Sequence, residues 1–276
     1  KEYYLTSIAR MIDEYDIDGV YLDGTTEPFG CNNELHGCGY VGEDGQRRLT
    51  YPIFAVRDLM RRMMHIIKSR KPEGLISAHM SASVTMPTLA FVDDYWDGEQ
   101  LDVKERGFRL PLEAFRAEFM GRNWGLPCEF LSYENKPFTF EEALGLALVH
   151  DVPVRPSTSG GKLATMSRVW AAWEEFEVDR ARWIPYWEGG GPLRANRGEV
   201  LISAHVGPRG VLAVVMNSAQ QPLEFDLTLD AATAGLDPAR LTARDVITGD
   251  AVEFTGGVAR LKLEPLHMIM LGLANR

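Results

Sequence analysis

The sequence predicts an α/β fold: the C-terminal part of a (β/α)8 TIM-type barrel, about five βα units, followed by a small antiparallel β-sandwich. Three observations predict it. Up to about residue 183, short apolar runs alternate with stretches of helical periodicity, the pattern of βα units in a parallel sheet. The first apolar run is followed by a long polar segment, 24–49, of the kind found at a barrel mouth, and the chain opens in mid-pattern, as though about three βα units preceded it. Beyond residue 185 the helical period gives way to short alternating runs separated by glycine-rich turns. A free-standing, doubly wound five-stranded sheet is the alternative.

The opening helix is read from Tyr4, Leu5, Ile8, Met11 and Ile12, which repeat at helical spacing. No signal peptide is legible and the first residue is Lys1, so a truncated or processed start is expected. Candidate strands are 18–23, 74–79, 89–96, 128–133 and 151–155. Between them, 51–70 carries Ile53, Val56, Met60, Met63 and Ile67 on one face, with Thr50 placed to cap and Pro52 in the first turn. Thr139 and Glu142 form a capping-box pattern for a helix running to about Leu148. A helix near 162–183 is expected to turn Leu163, Met166, Trp170, Trp173 and Phe176 inward. After Trp187-Glu-Gly-Gly-Gly-Pro192, read as a linker, strands are expected at 199–205, 211–217, 222–229, 241–246, 258–263 and 266–272, with Leu223, Phe225, Leu227 and Leu229 sharing one side. The expected domains are a catalytic partial barrel, 1–184, and a C-terminal sandwich, 185–276.

Composition narrows the function classes. A net charge of -10 over 276 residues disfavours nucleic acid and anionic membrane surfaces as partners. No run of about 18 apolar residues marks a membrane-spanning helix. Cys31, Cys38 and Cys128 are too few for a disulfide framework. Cys31 and Cys38, with His36 between them, suit a metal or a loop-closing disulfide, but the spacing matches no standard zinc pattern and structural zinc normally takes four ligands. The loop is therefore read as pocket lining, with no metal and no cofactor assigned. The oligomeric state is not legible.

Asp23 closes the apolar run Val20-Tyr21-Leu22, where a carboxylate at a barrel mouth can steady a developing oxocarbenium-like charge. The plain alternative is a turn cap or an arginine partner. Asp93, Asp94, Asp97 and Glu99 form a second acidic cluster. Strand alternation sends Asp93 and Asp94 to opposite sides, one of them to an internal ion pair. Asp97 and Glu99 flank Gly98, where the backbone can aim them at a cavity; Glu99 is chosen as general acid and Asp97 as its reserve. The competing reading is a solvated acidic loop. Candidate substrate-binding residues are Asn33, His36, Tyr40, His79, Trp96, Glu134 and Arg155, polar or aromatic groups on the first loop or at strand ends. His79 is read as an orienting or sugar-hydroxyl-binding group, and Trp96 as a sugar-stacking ring or a core filler. Ser157-Thr-Ser-Gly-Gly161 precedes a helix and suits an anion, but without a phosphate motif it is read as a barrel loop. No P-loop, dinucleotide fingerprint or Gly-x-Ser-x-Gly elbow is present.

On these residues the chain resembles glycoside-hydrolase-like barrel proteins related to the family 123 glycosidases. The matching stretches are Gly19-Val-Tyr-Leu-Asp-Gly24, Cys31-Asn-Asn-Glu-Leu-His-Gly-Cys-Gly-Tyr40, Thr50-Tyr-Pro-Ile-Phe-Ala-Val-Arg57, Asp94-Tyr-Trp-Asp-Gly-Glu99 and the terminal sandwich. More distantly it is similar to the α-galactosidase (melibiase) clan, whose nucleophile and acid follow strands four and six, the places inferred for Asp23 and the 97–99 pair. The resemblance implies cleavage of glycosidic bonds in an oligo- or polysaccharide by a carboxylate pair, and a secreted or periplasmic location. Two features depart from it: Asp23 precedes Gly24 instead of forming an Asp-Glu pair, and 18–23 contains no lysine. A non-catalytic carbohydrate-binding scaffold and a metal-dependent hydrolase using Asp23, His36, His79 and Asp97 are the competing classes.

Overall fold

The structure is a computed structural model describing residues 1–24, 27–81, 83–99, 111–131, 139–155 and 160–275. Its contacts divide the chain into two compact units, Lys1–Gln100 with Ala117–Leu131, and Leu101–Arg116 with Ser132–Arg276. No helix among the described residues is long and apolar enough to cross a membrane.

The first unit is built on a parallel sheet of β1 (Gly19–Leu22), β4 (Leu75–His79), β5 (Asp94–Asp97) and β6 (Cys128–Phe130), adjacent in that order. A small antiparallel hairpin, β2 (Tyr40–Val41) and β3 (Arg47–Arg48), lies in the loop after β1. Helix α1 (Glu2–Tyr15) buries Leu5, Ile8 and Ile12, leaves Met11 exposed, and packs on α2 (Ile53–Arg70). Helix α2 buries Val56, Met60, Met63 and Ile67, the stripe expected from periodicity, while Ile53 in its first turn stays exposed. Its cap differs from expectation. Pro52 occupies the N-cap, and the Thr50 hydroxyl instead accepts the Gly39 N–H at 2.8 Å.

The run 89–96 is not one strand. Thr85-Met-Pro starts a short helix, α3 (Met86–Leu89), because proline is at home in a first helical turn, and β5 begins only at Asp94. The short helix α4 (Leu112–Phe119) follows, and its Phe119 packs edge-on against Phe130.

In the sheet, alternation separates two chemistries. Leu22, Ile76, Ala78, Tyr95, Asp97, Cys128 and Phe130 are buried, whereas Tyr21, Ser77, His79, Asp94, Trp96 and Glu129 are half-buried or exposed. Register puts Tyr21 beside Ser77, His79 beside Trp96, and Trp96 beside Glu129, so the second set shares one face.

The second unit contains α5 (Phe140–Val149), α6 (Gly160–Glu175) and two antiparallel sheets. Helix α5 opens on the full capping box predicted for Thr139 and Glu142. In α6 the buried stripe is Met166, Val169 and Ala172, continued by Phe176; Leu163 and Trp170 are exposed, so the inward face is rotated from the expected one. Small Ala172, weak as a hydrophobic signal, hid that rotation. The segment 151–155 forms no ladder among the described residues: Asp151 takes φ 59°, which breaks extension, and only Val154 makes an isolated bridge.

One sheet orders β12 (Leu241–Asp245), β14 (Met268–Asn275), β10 (Gly210–Asn217), β9 (Val200–Gly207) and β7 (Arg182–Ile184); the other orders β13 (Val258–Leu263), β11 (Leu223–Leu229) and β8 (Leu193–Ala195). A short helix, α7 (Ala231–Ala234), follows β11. The sheets share one apolar core, with Val211, Ala213, Val215, Leu271 and Leu273 from one and Leu223, Phe225, Leu227 and Leu229 from the other. The six expected strands are all present. β7 and β8 were not expected, because three residues carry too little alternation to be read.

Candidate active site on the rim of the parallel sheet

Three of the candidate residues of the first unit, Asp23, His79 and Glu99, gather where β1, β4 and β5 end. β1 delivers Asp23 and β4 delivers His79 as its last residue. After β5 the chain reverses at Gly98, whose φ is 123° and whose missing Cβ would lie 2.8 Å from both the Leu131 carbonyl oxygen and the Phe130 ring. No other residue fits that turn without strain. The reversal brings Glu99 back over the rim, with its N–H donating to Ser81 Oγ at 3.2 Å.

His79 joins the two chosen carboxylates. Its Nε2 lies 2.9 Å from Glu99 Oε2, and its Nδ1 lies 3.8 Å from Asp23 Oδ1 and 2.7 Å from the Tyr21 hydroxyl. A neutral imidazole with its proton on Nε2 donates to Glu99 and accepts from Tyr21. The path through the ring caps the separation of these two acidic oxygens at roughly 9 Å, a ceiling that leaves room for either glycosidase geometry. The His79 side chain is 12% exposed, against 70% for Asp23 and 42% for Glu99, so a sheltered ring supports two solvent-facing acids. Trp96 packs against Tyr21 with centroids 4.2 Å apart and the rings tilted by 33°, so part of one ring face is already covered.

The other acids have different places. Asp97 is the last residue of β5 and is fully buried on the side of Tyr95 and Cys128, where its Oδ1 accepts the Gly98 N–H at 2.7 Å. It does not turn toward Asp23 and Glu99 as expected, because the strand extends through it and alternation turns it to the opposite face. Asp93 makes the expected internal ion pair: Lys68 Nζ is 2.8 Å from Oδ1, and the Ile76 N–H donates to Oδ2 at 2.9 Å. Asp94 lies on the face of His79 and Trp96, accepts the Ser77 hydroxyl at 2.9 Å, and is held above the usual carboxylate range by burial.

The loop after β1 forms a separate cluster. Asn33 caps the turn Glu34–His36 by accepting the Leu35 N–H at 2.9 Å, and Tyr40 is exposed in β2. Cys31 Sγ, a ring nitrogen of His36 and Cys38 Sγ lie within 4.8 Å of one another, so His36 joins the cysteines and not Asp23 and His79. Among the described residues this is the one group of three or more His, Cys, Asp or Glu ligand atoms so gathered, and the quartet Asp23, His36, His79 and Asp97 does not form. The Cys31 thiol is held below its ordinary range, first by the Asn33 N–H and then by His36 and Cys38; Cys38 is pushed up by Cys31 and by burial. Arg155 is half-buried in the second unit, and Glu134 and Ser157 lie outside the described residues.

Tyr21, Ser77, Ser81 and Glu129 were not among the residues chosen from sequence. Tyr21 was legible, since it stands two residues before Asp23 in a strand and shares its side. The others depend on register between strands distant in sequence.

Comparison with known proteins agrees with the resemblance seen in the sequence. Residues 165–253 match the model of the glycoside hydrolase 123 C-terminal domain. Similar solved structures are glycoside hydrolases. A maltogenic α-amylase, AmyB from Thermotoga neapolitana, has TM-score 0.52 and 11% identity, with 100% of this chain and 65% of that one covered. α-Galactosidase I from Mortierella vinacea has TM-score 0.51 and 11% identity, covering 97% and 70%. An Anoxybacillus α-amylase has TM-score 0.52 and 11% identity, covering 100% and 63%, so the chain spans less than two thirds of the length of the two amylases. At these identities the likeness is one of fold. No curated protein matches the chain.

Proposed function

We propose that the protein is a glycoside hydrolase that cleaves glycosidic bonds of an oligo- or polysaccharide with Asp23 and Glu99, on a parallel sheet that belongs to a (β/α) barrel. The single observation that carries this reading is the convergence of both acids on His79, at 3.8 and 2.9 Å. Glu99 protonates the leaving oxygen; Asp23 acts as nucleophile or activates water from the other side. His79 is a positioning residue: fixed by Tyr21, it sets the direction of the Glu99 carboxyl. The family match in the C-terminal region and the glycosidase-like fold support the same class. A secreted or periplasmic site of action, implied by the resemblance, is part of the same proposal.

The test is release of reducing ends or aryl aglycones from a broad panel of glycosides by the purified protein, beside Asp23→Asn and Glu99→Gln. Hydrolysis that falls about 10³-fold in each variant, with glycan affinity retained, is the expected result. Absence of hydrolysis across the panel, or hydrolysis indifferent to both substitutions, overturns it. Retained glycan binding without any turnover by the unaltered protein would assign it instead as a carbohydrate-binding scaffold.

A further inference from the structure

The loop between β1 and α2 holds a second arrangement that the hydrolase reading does not use. Three potential ligands come from eight residues, 31–38, wound into a single turn by Asn33. The His36 and Cys38 N–H groups both donate to the Asn33 carbonyl, at 3.2 and 3.1 Å, and Gly37 takes φ 68° to let the chain double back. Residues that are not ligands hold this turn. Arg47 donates from Nε to the Asn32 carbonyl at 2.7 Å, from Nη2 to the Cys38 carbonyl, and from Nη1 to Glu34 at 2.8 Å. Cys31 and Thr50 exchange backbone hydrogen bonds at 2.9 Å each, fixing the loop's entry against its exit.

We infer that Cys31, His36 and Cys38 bind one thiophilic divalent cation, zinc by the chemistry of the donors, with the fourth position open to solvent or to an exogenous ligand. Two thiolates and an imidazole are soft and borderline donors of the kind zinc prefers, and three protein ligands with one open position is an established zinc coordination. The distances fit. Zn–S and Zn–N bonds of about 2.3 and 2.0–2.1 Å in a tetrahedron place sulfur and nitrogen about 3.6 Å apart, and Cys31 Sγ stands 3.7 Å from His36 Nδ1. A loop-closing disulfide is the competing outcome, and it would leave His36 without a function in the turn. Binding releases one proton from each thiol to solvent, so two thiolates balance the charge of the ion. The ion would tie the turn 31–38 to itself and offer one exchangeable site there.

The experiment is anaerobic titration of the reduced, chelator-stripped protein with Co²⁺ as probe, followed by Zn²⁺. One equivalent of cobalt should bind with thiolate-to-metal charge-transfer absorption and the strong visible bands of tetrahedral coordination, and zinc should erase both. Cys31→Ser and Cys38→Ser should each weaken zinc binding about 100-fold or more and reduce the charge-transfer band. His36→Ala should weaken binding about tenfold or more and keep that band. Cys128→Ser, at a buried thiol in β6, should change none of these signals. Circular dichroism should show all four variants folded. No charge-transfer band from a protein whose thiols titrate as reduced overturns the inference, as does a Cys31–Cys38 disulfide that forms while metal is refused after its reduction. None of these signals depends on sugar cleavage, so this site and the hydrolase reading fail separately.

Discussion

His79 Nε2 stands 2.9 Å from Glu99 Oε2, although the two residues lie on different strands' ends and only the reversal at Gly98 lets them meet. Under the proposed mechanism this contact aims the acid. His79→Ala should lower kcat about 100-fold with little change in KM, because misdirecting a catalytic group by an ångström has that effect. His79→Gln, which keeps a donor near the Nε2 position, should recover part of the loss. Equal activity in the two variants would reject the positioning role.

Gly98 should tolerate no side chain. Gly98→Ala places a Cβ 2.8 Å from the Leu131 carbonyl oxygen at φ 123°, and strain of that kind should cost about 2–4 kcal/mol. Urea denaturation measures it. An unchanged midpoint would mean that the turn relaxes freely.

Lys68 and Asp93 should behave as a coupled pair. Lys68→Met leaves a half-buried carboxylate that still accepts the Ile76 N–H, and about 1–3 kcal/mol of stability should be lost. Adding Asp93→Asn should cost less than it does in the unaltered chain. Additive costs in a double-mutant cycle would show no coupling.

His150 sets a pH dependence of stability in the second unit. It is fully buried, with Nδ1 2.6 Å from the Leu146 carbonyl and Nε2 3.1 Å from the Tyr186 hydroxyl, and burial lowers its pKa from 6.5 to about 4. Between those values the unfolded chain binds a proton that the folded protein refuses. Its contribution is therefore fully present above pH 6.5 and falls as the pH drops towards about 4, by about 3 kcal/mol in all. Urea midpoints across that window should fall with pH, and His150→Gln should flatten the slope. An identical slope in the variant would place the effect elsewhere.

Much of this architecture was legible because its signals are local. The alternation of Leu223, Phe225, Leu227 and Leu229, the Thr139–Glu142 box and the Val56–Ile67 stripe each need only a few neighbouring residues to act. Asp97 was misplaced for an equally local reason. Apolar Leu89–Val92 looked extended, whereas Pro87 holds its start in a helical turn, and ending the strand at residue 96 put Asp97 in the turn. A residue moved by one place across a strand end changes face. The meeting of Tyr21, Asp23, His79 and Glu99 was beyond local reading, because it rests on the register Leu22↔Ala78 and His79↔Trp96 between strands far apart in the chain. The Cys31–His36–Cys38 grouping was named from sequence as suiting a metal or a disulfide and then set aside, because the doubled-back turn at Gly37 that gathers the three is contained in no ligand-spacing rule.

Strand β10 carries one more consequence. Every residue from Gly210 to Asn217 is buried; α5 lies against it, and the shared core of the two antiparallel sheets covers its Val211, Ala213 and Val215. With β9 and β14 on its two sides, its backbone amides have no local route to water. Deuterium should reach them only when the whole unit opens, making this strand an internal clock for complete unfolding, against which looser segments can be timed.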